Sequence, residues 1–188
     1  MIINIHGLYG TAENVNYKIL SKLYPVSEIY SPQIQFENRS PSSIMGELNA
    51  VKNIDFVVGN SLGGFFAYVL SAKRNCPCLL VNPCIPPTKY MKDPSFGYPE
   101  KFLDELKQLQ ESAEAIKIHQ PVCNTFVILG KDDEVLDSRF TKSYLKNVEL
   151  YEIEGGHRIS GTAFKKQMKE ITHKMERDMK LSSDYTDT

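Results

Sequence analysis

The stretch Ile54-Asp55-Phe56-Val57-Val58-Gly59-Asn60-Ser61-Leu62-Gly63-Gly64-Phe65-Phe66-Ala67 decides how this chain folds. Its first part is a nearly continuous apolar run, the pattern of a strand covered by helices on both faces. Its last part opens a helix-like run from Phe65 to Arg74. Between them stands Gly59-x-Ser61-x-Gly63. A serine held in so tight a strand-to-helix turn projects its hydroxyl above the sheet, and the strained backbone tolerates only small residues two positions away on either side.

Working outward, five further apolar runs recur at similar spacing: 1 to 5, 27 to 34, 78 to 83, 124 to 130 and 148 to 154. Helix-like segments separate them. Thr11 is placed to cap a helix carrying Val15, Ile19 and Leu23 on one stripe, which Pro25 ends. Ser40 followed by Pro41 reads as an N-cap and first helical position, with Ile44, Leu48 and Val51 facing inward. Asp137 caps a short helix to about Lys146, and Gly161 precedes a terminal helix with Phe164, Met168, Ile171 and Met175 on one face. Strands alternating with helices predict a three-layer α/β architecture: about six mostly parallel strands with helices on both faces. One domain spanning residues 1 to 188 suits the length. The tail from Ser182 to Thr188 has no apolar residue to bury except Tyr185, and is expected to fray.

One segment breaks the rhythm. From Ile85 to His119 the chain inserts a stretch rich in Pro, Gly and Tyr, followed by a helix with Leu103, Leu106, Leu109 and Ile116. It leaves the fourth strand at the sheet edge where ligands bind, so it is expected to act as a small cap whose Tyr90, Phe96, Tyr98 and Phe102 either line an acyl pocket, together with Tyr9, or anchor the segment.

Composition narrows the function classes. The formal net charge is -1 and hydrophobic residues make up 41%, which points to no nucleic acid and no anionic membrane as partner. No apolar run approaches the ~20 residues of a membrane span, and the first residues lack the pattern of a secretory signal, so a cytoplasmic address is the expectation. Cys76, Cys78, Cys84 and Cys123 lie in or beside apolar runs and read as core residues; Cys76-Pro77-Cys78 is shorter than the spacing of zinc or redox pairs. No metal and no cofactor is expected.

A serine hydroxyl at neutral pH is a weak nucleophile and needs a base, and the base needs a group to hold its tautomer. Gly155-Gly156-His157 follows the last strand, where paired glycines let the loop turn sharply and present an imidazole, so His157 is the candidate base. Asp132, Asp133 and Glu134 follow the fifth strand; Asp133 is the preferred acid, Asp132 the alternate, and Glu134 is expected to brace the loop or meet solvent. The Leu62 amide at the start of the helix after Ser61 is one candidate oxyanion donor, and the Leu8 amide in His6-Gly7-Leu8-Tyr9-Gly10 is the other. His6 is expected to pack beneath that turn, His119 to close the cap, and His173 to lie on the terminal helix.

These residues resemble the α/β-hydrolase superfamily, and within it the small bacterial YqiA-like esterases. The likeness rests on the first strand running into Ile5-His6-Gly7, on Gly59-Asn60-Ser61-Leu62-Gly63-Gly64-Phe65-Phe66-Ala67, on Leu79-Leu80-Val81-Asn82-Pro83, on Gly130 to Asp137 and on Glu154-Gly155-Gly156-His157. The resemblance implies a minimal version of the fold, no cofactor, and esterase or thioesterase activity on short acyl substrates with Ser61, Asp133 and His157 as nucleophile, acid and base. Leu8-Tyr9-Gly10-Thr11 departs from the family pattern beside the oxyanion turn. The expected activity is therefore hydrolysis of small carboxylic esters or thioesters through an acyl-enzyme. Its rivals are an acyltransferase or acyl-CoA thioesterase using the same residues, and a non-catalytic module that keeps the hydrolase shape.

Overall fold

The computed structural model describes residues 1 to 119 and 124 to 184, and side chains throughout these except at 119 and 178 to 184. Six strands, β1 (Ile2–Ile5), β2 (Ile29–Tyr30), β3 (Phe56–Asn60), β4 (Cys78–Val81), β5 (Thr125–Gly130) and β6 (Glu149–Ile153), form one sheet in the order β2-β1-β3-β4-β5-β6. Every neighbouring pair is parallel. All six expected runs contribute a strand. The second contributes least, only two residues of an edge strand, because Pro32 lacks the N–H a longer ladder would need.

The helices are α1 (Val15–Leu20), α2 (Pro41–Ala50), α3 (Leu62–Arg74), α4 (Pro87–Met91), α5 (Glu100–His119), α6 (Ser138–Tyr144) and α7 (Gly161–Asp184). Alternate residues of each strand feed opposite faces of the sheet. Ile3, Ile5, Val57, Leu80, Val127 and Leu129 pack under α2, α3 and α5. Ile2, Phe56, Val58, Leu79, Val81, Phe126 and Ile128 pack under α1 and α7. The α7 stripe is buried as its period requires, with Phe164 1%, Met168 0%, Ile171 1% and Met175 0% exposed. Each such side chain contributes about 1.5–3 kcal/mol by leaving water.

Two local expectations are corrected. The N-cap of α1 is Asn14, whose side chain accepts from the Tyr17 amide, and Thr11 stays in the preceding loop. Because α1 starts later, Val15 is 41% exposed while Ile19 is buried. At the other end α7 continues to Asp184, so residues 182 to 184, expected to fray, are helical; the remaining tail lies outside the described residues. Ser40 and Asp137 cap α2 and α6 as expected.

The segment after β4 is built from α4, a 3-10 turn at Pro94–Phe96, and α5. The long helix packs against α2 and α3, with Leu106 and Ala113 fully buried, and it carries the chain across the sheet from β4 to β5. Cys76, Cys78 and Cys84 are buried thiols; Cys123 lies outside the described residues, as does the side chain of His119. His173 is exposed on α7.

Candidate active site

The carboxyl ends of β1, β3, β4, β5 and β6 each deliver one part of a single site. At the end of β3, Ser61 takes φ 52 and ψ -125, a left-handed conformation that costs a non-glycine residue about 1–3 kcal/mol. Its surroundings hold it there. The Ser61 amide donates to the Val81 carbonyl at 3.0 Å, and the Ser61 carbonyl accepts from the amides of Gly64 and Cys84, each at 2.9 Å. The flanking glycines are required by contact: a Cβ on Gly59 would lie 2.3 Å from the Gly63 carbonyl oxygen, and one on Gly63 would lie 2.3 Å from the His6 carbonyl oxygen.

The loops after β5 and β6 lie side by side, and they close so tightly that a Cβ on Gly130 would meet the Gly155 carbonyl oxygen at 2.5 Å. His157 is thereby placed between the serine and a carboxylate. Its Nε2 is 3.0 Å from Ser61 Oγ, and its Nδ1 is 3.1 and 3.0 Å from the two oxygens of Asp133. An ionised carboxylate only accepts, so the proton belongs on Nδ1 and Nε2 is left to accept from the serine hydroxyl. The Asp133 side chain is 2% exposed and that of His157 14%. Burial pushes the Asp133 carboxyl up, but the bonds from His157 and from the Leu136 and Val135 amides outweigh it and hold the carboxyl below its ordinary value.

Asp132 is exposed and makes no contact with His157 among the described residues, so the acid facing the imidazole is Asp133. Glu134 braces the loop: its Oε2 accepts from the His157 amide at 2.9 Å. A Cβ at Gly156 would sit 2.4 Å from that same oxygen and push the Glu134 carboxylate aside.

One residue that sequence reasoning passed over ties these loops together. Asn82, 2% exposed and at φ 41, accepts from the Gly130 amide at 2.7 Å and donates to the carbonyls of Gly156 at 3.1 Å and His157 at 3.0 Å. It thus joins the strand that leads to Asp133 with the loop that carries His157. The signal available in the sequence was an asparagine directly after a buried strand, a residue that tolerates the left-handed region.

The turn after β1 is anchored by the residues around it. His6, 1% exposed, accepts the Ile34 amide on Nε2 at 2.9 Å and donates from Nδ1 to the Gly7 carbonyl at 2.7 Å. The Gly10 amide closes a turn on the Gly7 carbonyl at 2.9 Å, with Tyr9 at φ 56. A side-chain chain links this loop to the serine turn: Asn4 donates to Asn14 at 3.1 Å, and Asn14 donates to Asn60 at 2.8 Å. Among the described residues, neither the Leu8 nor the Leu62 N–H donates to a backbone carbonyl.

A cavity of about 410 Å³ opens over Ser61 and His157, lined by residues of the loop after β1 and of the start of α1, from Gly7 to Lys18, and by Arg158 and Ile159. Tyr9 is on its wall. Tyr90, Phe96 and Tyr98 are not: Tyr98 stacks on Phe102 with ring centroids 4.2 Å apart, Phe96 sits in the 3-10 turn, and Tyr90 lies near Asp137 and Thr141 at the start of α6. Among the described residues no group of three or more His, Cys, Asp or Glu could hold a metal ion, and no helix is long and apolar enough to cross a membrane.

A family model described as Uncharacterised protein family (UPF0227) matches residues 1 to 176. No curated protein matches the sequence. Solved structures similar to this one include alpha/beta hydrolase domain-containing protein 10 from mouse, with 14% identity and a TM-score of 0.67 over 94% of this chain and 89% of that one. An esterase from Pyrococcus furiosus is similar at 15% identity and a TM-score of 0.60, covering 95% of this chain and 81% of its own. A haloalkane dehalogenase loop variant from Bradyrhizobium elkanii is similar at 11% identity and a TM-score of 0.64, covering 98% and 91%. At identities this low, the TM-scores show a shared α/β-hydrolase fold and nothing of the reaction.

Proposed function

Since the chain belongs to the UPF0227 family and has the α/β-hydrolase fold, we propose that it is a serine hydrolase cleaving carboxylic ester or thioester bonds of small acyl substrates. The observation that carries this reading is the continuous chain from Ser61 Oγ through both nitrogens of His157 to Asp133. The fold alone does not choose the reaction, for an esterase and a dehalogenase both share it. A hydroxyl as nucleophile with an imidazole as base suits acyl transfer.

In this reading Ser61 Oγ attacks the substrate carbonyl carbon while its proton passes to His157 Nε2. The tetrahedral oxyanion takes hydrogen bonds from the Leu8 and Leu62 amides, and Asp133 stabilises the imidazolium. Collapse breaks the bond to the alcohol or thiol, which leaves with the proton from Nε2, and Ser61 is left acylated. Water then attacks the acyl-enzyme, gives a proton to Nε2, and the acid departs as Ser61 recovers its hydrogen. Every transferred proton moves through His157, so the steps need no cofactor.

Intact-mass measurement after fluorophosphonate treatment tests the nucleophile without a choice of substrate. The wild-type protein gains one adduct and Ser61→Ala gains none, and hydrolysis of 4-nitrophenyl acetate falls to background in the variant. A folded wild type that takes no label, or a Ser61→Ala protein that hydrolyses at the wild-type rate, refutes the assignment.

A further inference from the structure

The wall of the cavity is sorted by chemistry. Leu8, Tyr9, Val15 and Ile159 give it apolar surface, and Tyr9 and Val15 are 69% and 41% exposed there. Three charged residues join them: Glu13, Lys18 and Arg158. Large apolar side chains left open to solvent beside a polar group mark a ligand surface better than scattered exposure does.

Among the described residues neither the Lys18 nor the Arg158 side chain makes an ion pair or hydrogen bond, whereas Lys131, Lys142 and Lys174 each face a glutamate. On the wall itself two cations stand against one carboxylate, Glu13, while the carboxylates of Asp133 and Glu134 sit behind His157, bonded to its ring and to its amide. Arg158 is also well placed in the backbone, because it directly follows His157 in the loop that Asn82 and Glu134 hold.

We infer that the cavity over Ser61 selects an ester or thioester that carries an anionic group, its apolar part against Tyr9, Val15 and Ile159 and its charge toward Lys18 and Arg158. The inference rests on the hydrolase reading for the scissile bond, but the recognition of charge does not. Glu13 gives it a sign: removing this carboxylate strengthens anion selection, while reversing either cation weakens it.

The test compares kcat/KM for mono-4-nitrophenyl glutarate and 4-nitrophenyl butyrate, which place the anion on the acyl side, and for 4-acetoxybenzoate and phenyl acetate, which place it on the alcohol side. In one of the two pairs the anionic-to-neutral ratio falls about two- to five-fold in Lys18→Glu and again in Arg158→Glu, the range of solvent-exposed pairs. In the same pair it rises in Glu13→Gln, and 0.5 M salt compresses all these differences by screening. Ratios in both pairs unmoved by the three substitutions, with neutral esters still turned over, overturn the inference and leave the hydrolase reading standing. Failure of every ester together with failure of fluorophosphonate labelling sinks the hydrolase reading instead. In that case amide shifts of residues 156 to 159 in Ser61→Ala titrated with glutarate decide the inference: saturating shifts lost in Ser61→Ala/Arg158→Glu support it, and no shifts overturn it.

Discussion

Replacing Asn82 by alanine removes three hydrogen bonds at once, those to the Gly130 amide and to the Gly156 and His157 carbonyls. At about 1 kcal/mol for each bond the loss is about 3 kcal/mol. Alanine must also hold φ 41, a left-handed angle that adds about 1 kcal/mol. The sum, about 4 kcal/mol, is tolerable for a domain whose total stability is of order 5–15 kcal/mol. With a urea slope of about 2 kcal/mol/M it moves the unfolding midpoint down by about 2 M. Asn82→Gly lacks the same bonds without the left-handed penalty, so it unfolds between wild type and Asn82→Ala. Asn82→Asp is no rescue: its second oxygen would face two carbonyl oxygens. Under native conditions the freed His157 loop slows fluorophosphonate labelling of Ser61 by about 10- to 100-fold, the cost of misplacing a base by about 1 Å. Asn82→Ala that unfolds within about 1 kcal/mol of wild type and labels at the wild-type rate refutes this account of the loops.

Three further predictions rest on contacts and charge. Gly63→Ala drives a Cβ to 2.3 and 2.4 Å from the carbonyl oxygens of His6 and Ile5, a clash with backbone that costs about 1–3 kcal/mol; calorimetry reads this as a Tm lower by about 2–12 °C. Gly46→Ala is its opposite, since a Cβ there meets nothing within 4 Å on an exposed turn of α2; it raises stability by about 0.5–1 kcal/mol, and a lower Tm would contradict the open surface. The Asp133 carboxyl is held below its ordinary value of 3.8, so its contribution to stability is complete above that pH and is lost as pH falls through the lowered folded value. Urea midpoints at pH 6 and pH 3 therefore differ less in Asp133→Asn than in wild type, and an equal acid loss in both would show that the carboxylate gains nothing from its partners.

Much of the fold was legible because its signals are local. All six strands stand within the apolar runs that predict them, though β2 keeps only two residues, and the α7 stripe is buried at every position its period names. The turn around Ser61 was readable for the same reason: strand, serine and small flanking residues fall within nine positions of one another. The cap of α1 was misplaced by three residues because Thr11 and Asn14 carry equally good capping chemistry. What chose Asn14 was its further bonds to Asn4 and Asn60, which come from β1 and β3.

The chain's sequence by itself determined the layered α/β architecture, the serine turn, the candidate base and the loop that holds the candidate acids, since each depends on residues close along the chain. Only the tertiary structure decided between Asp132 and Asp133, because an angle of the loop after β5 turns one carboxylate to His157 and the other to water. It also decided that the cavity is lined by the loop after β1, the start of α1 and Arg158, with the aromatics of residues 90 to 98 elsewhere. The clamp at Asn82 was the most hidden of all: its partners lie 48, 74 and 75 residues away, and a hydrogen bond between distant residues leaves no periodicity for a sequence to display.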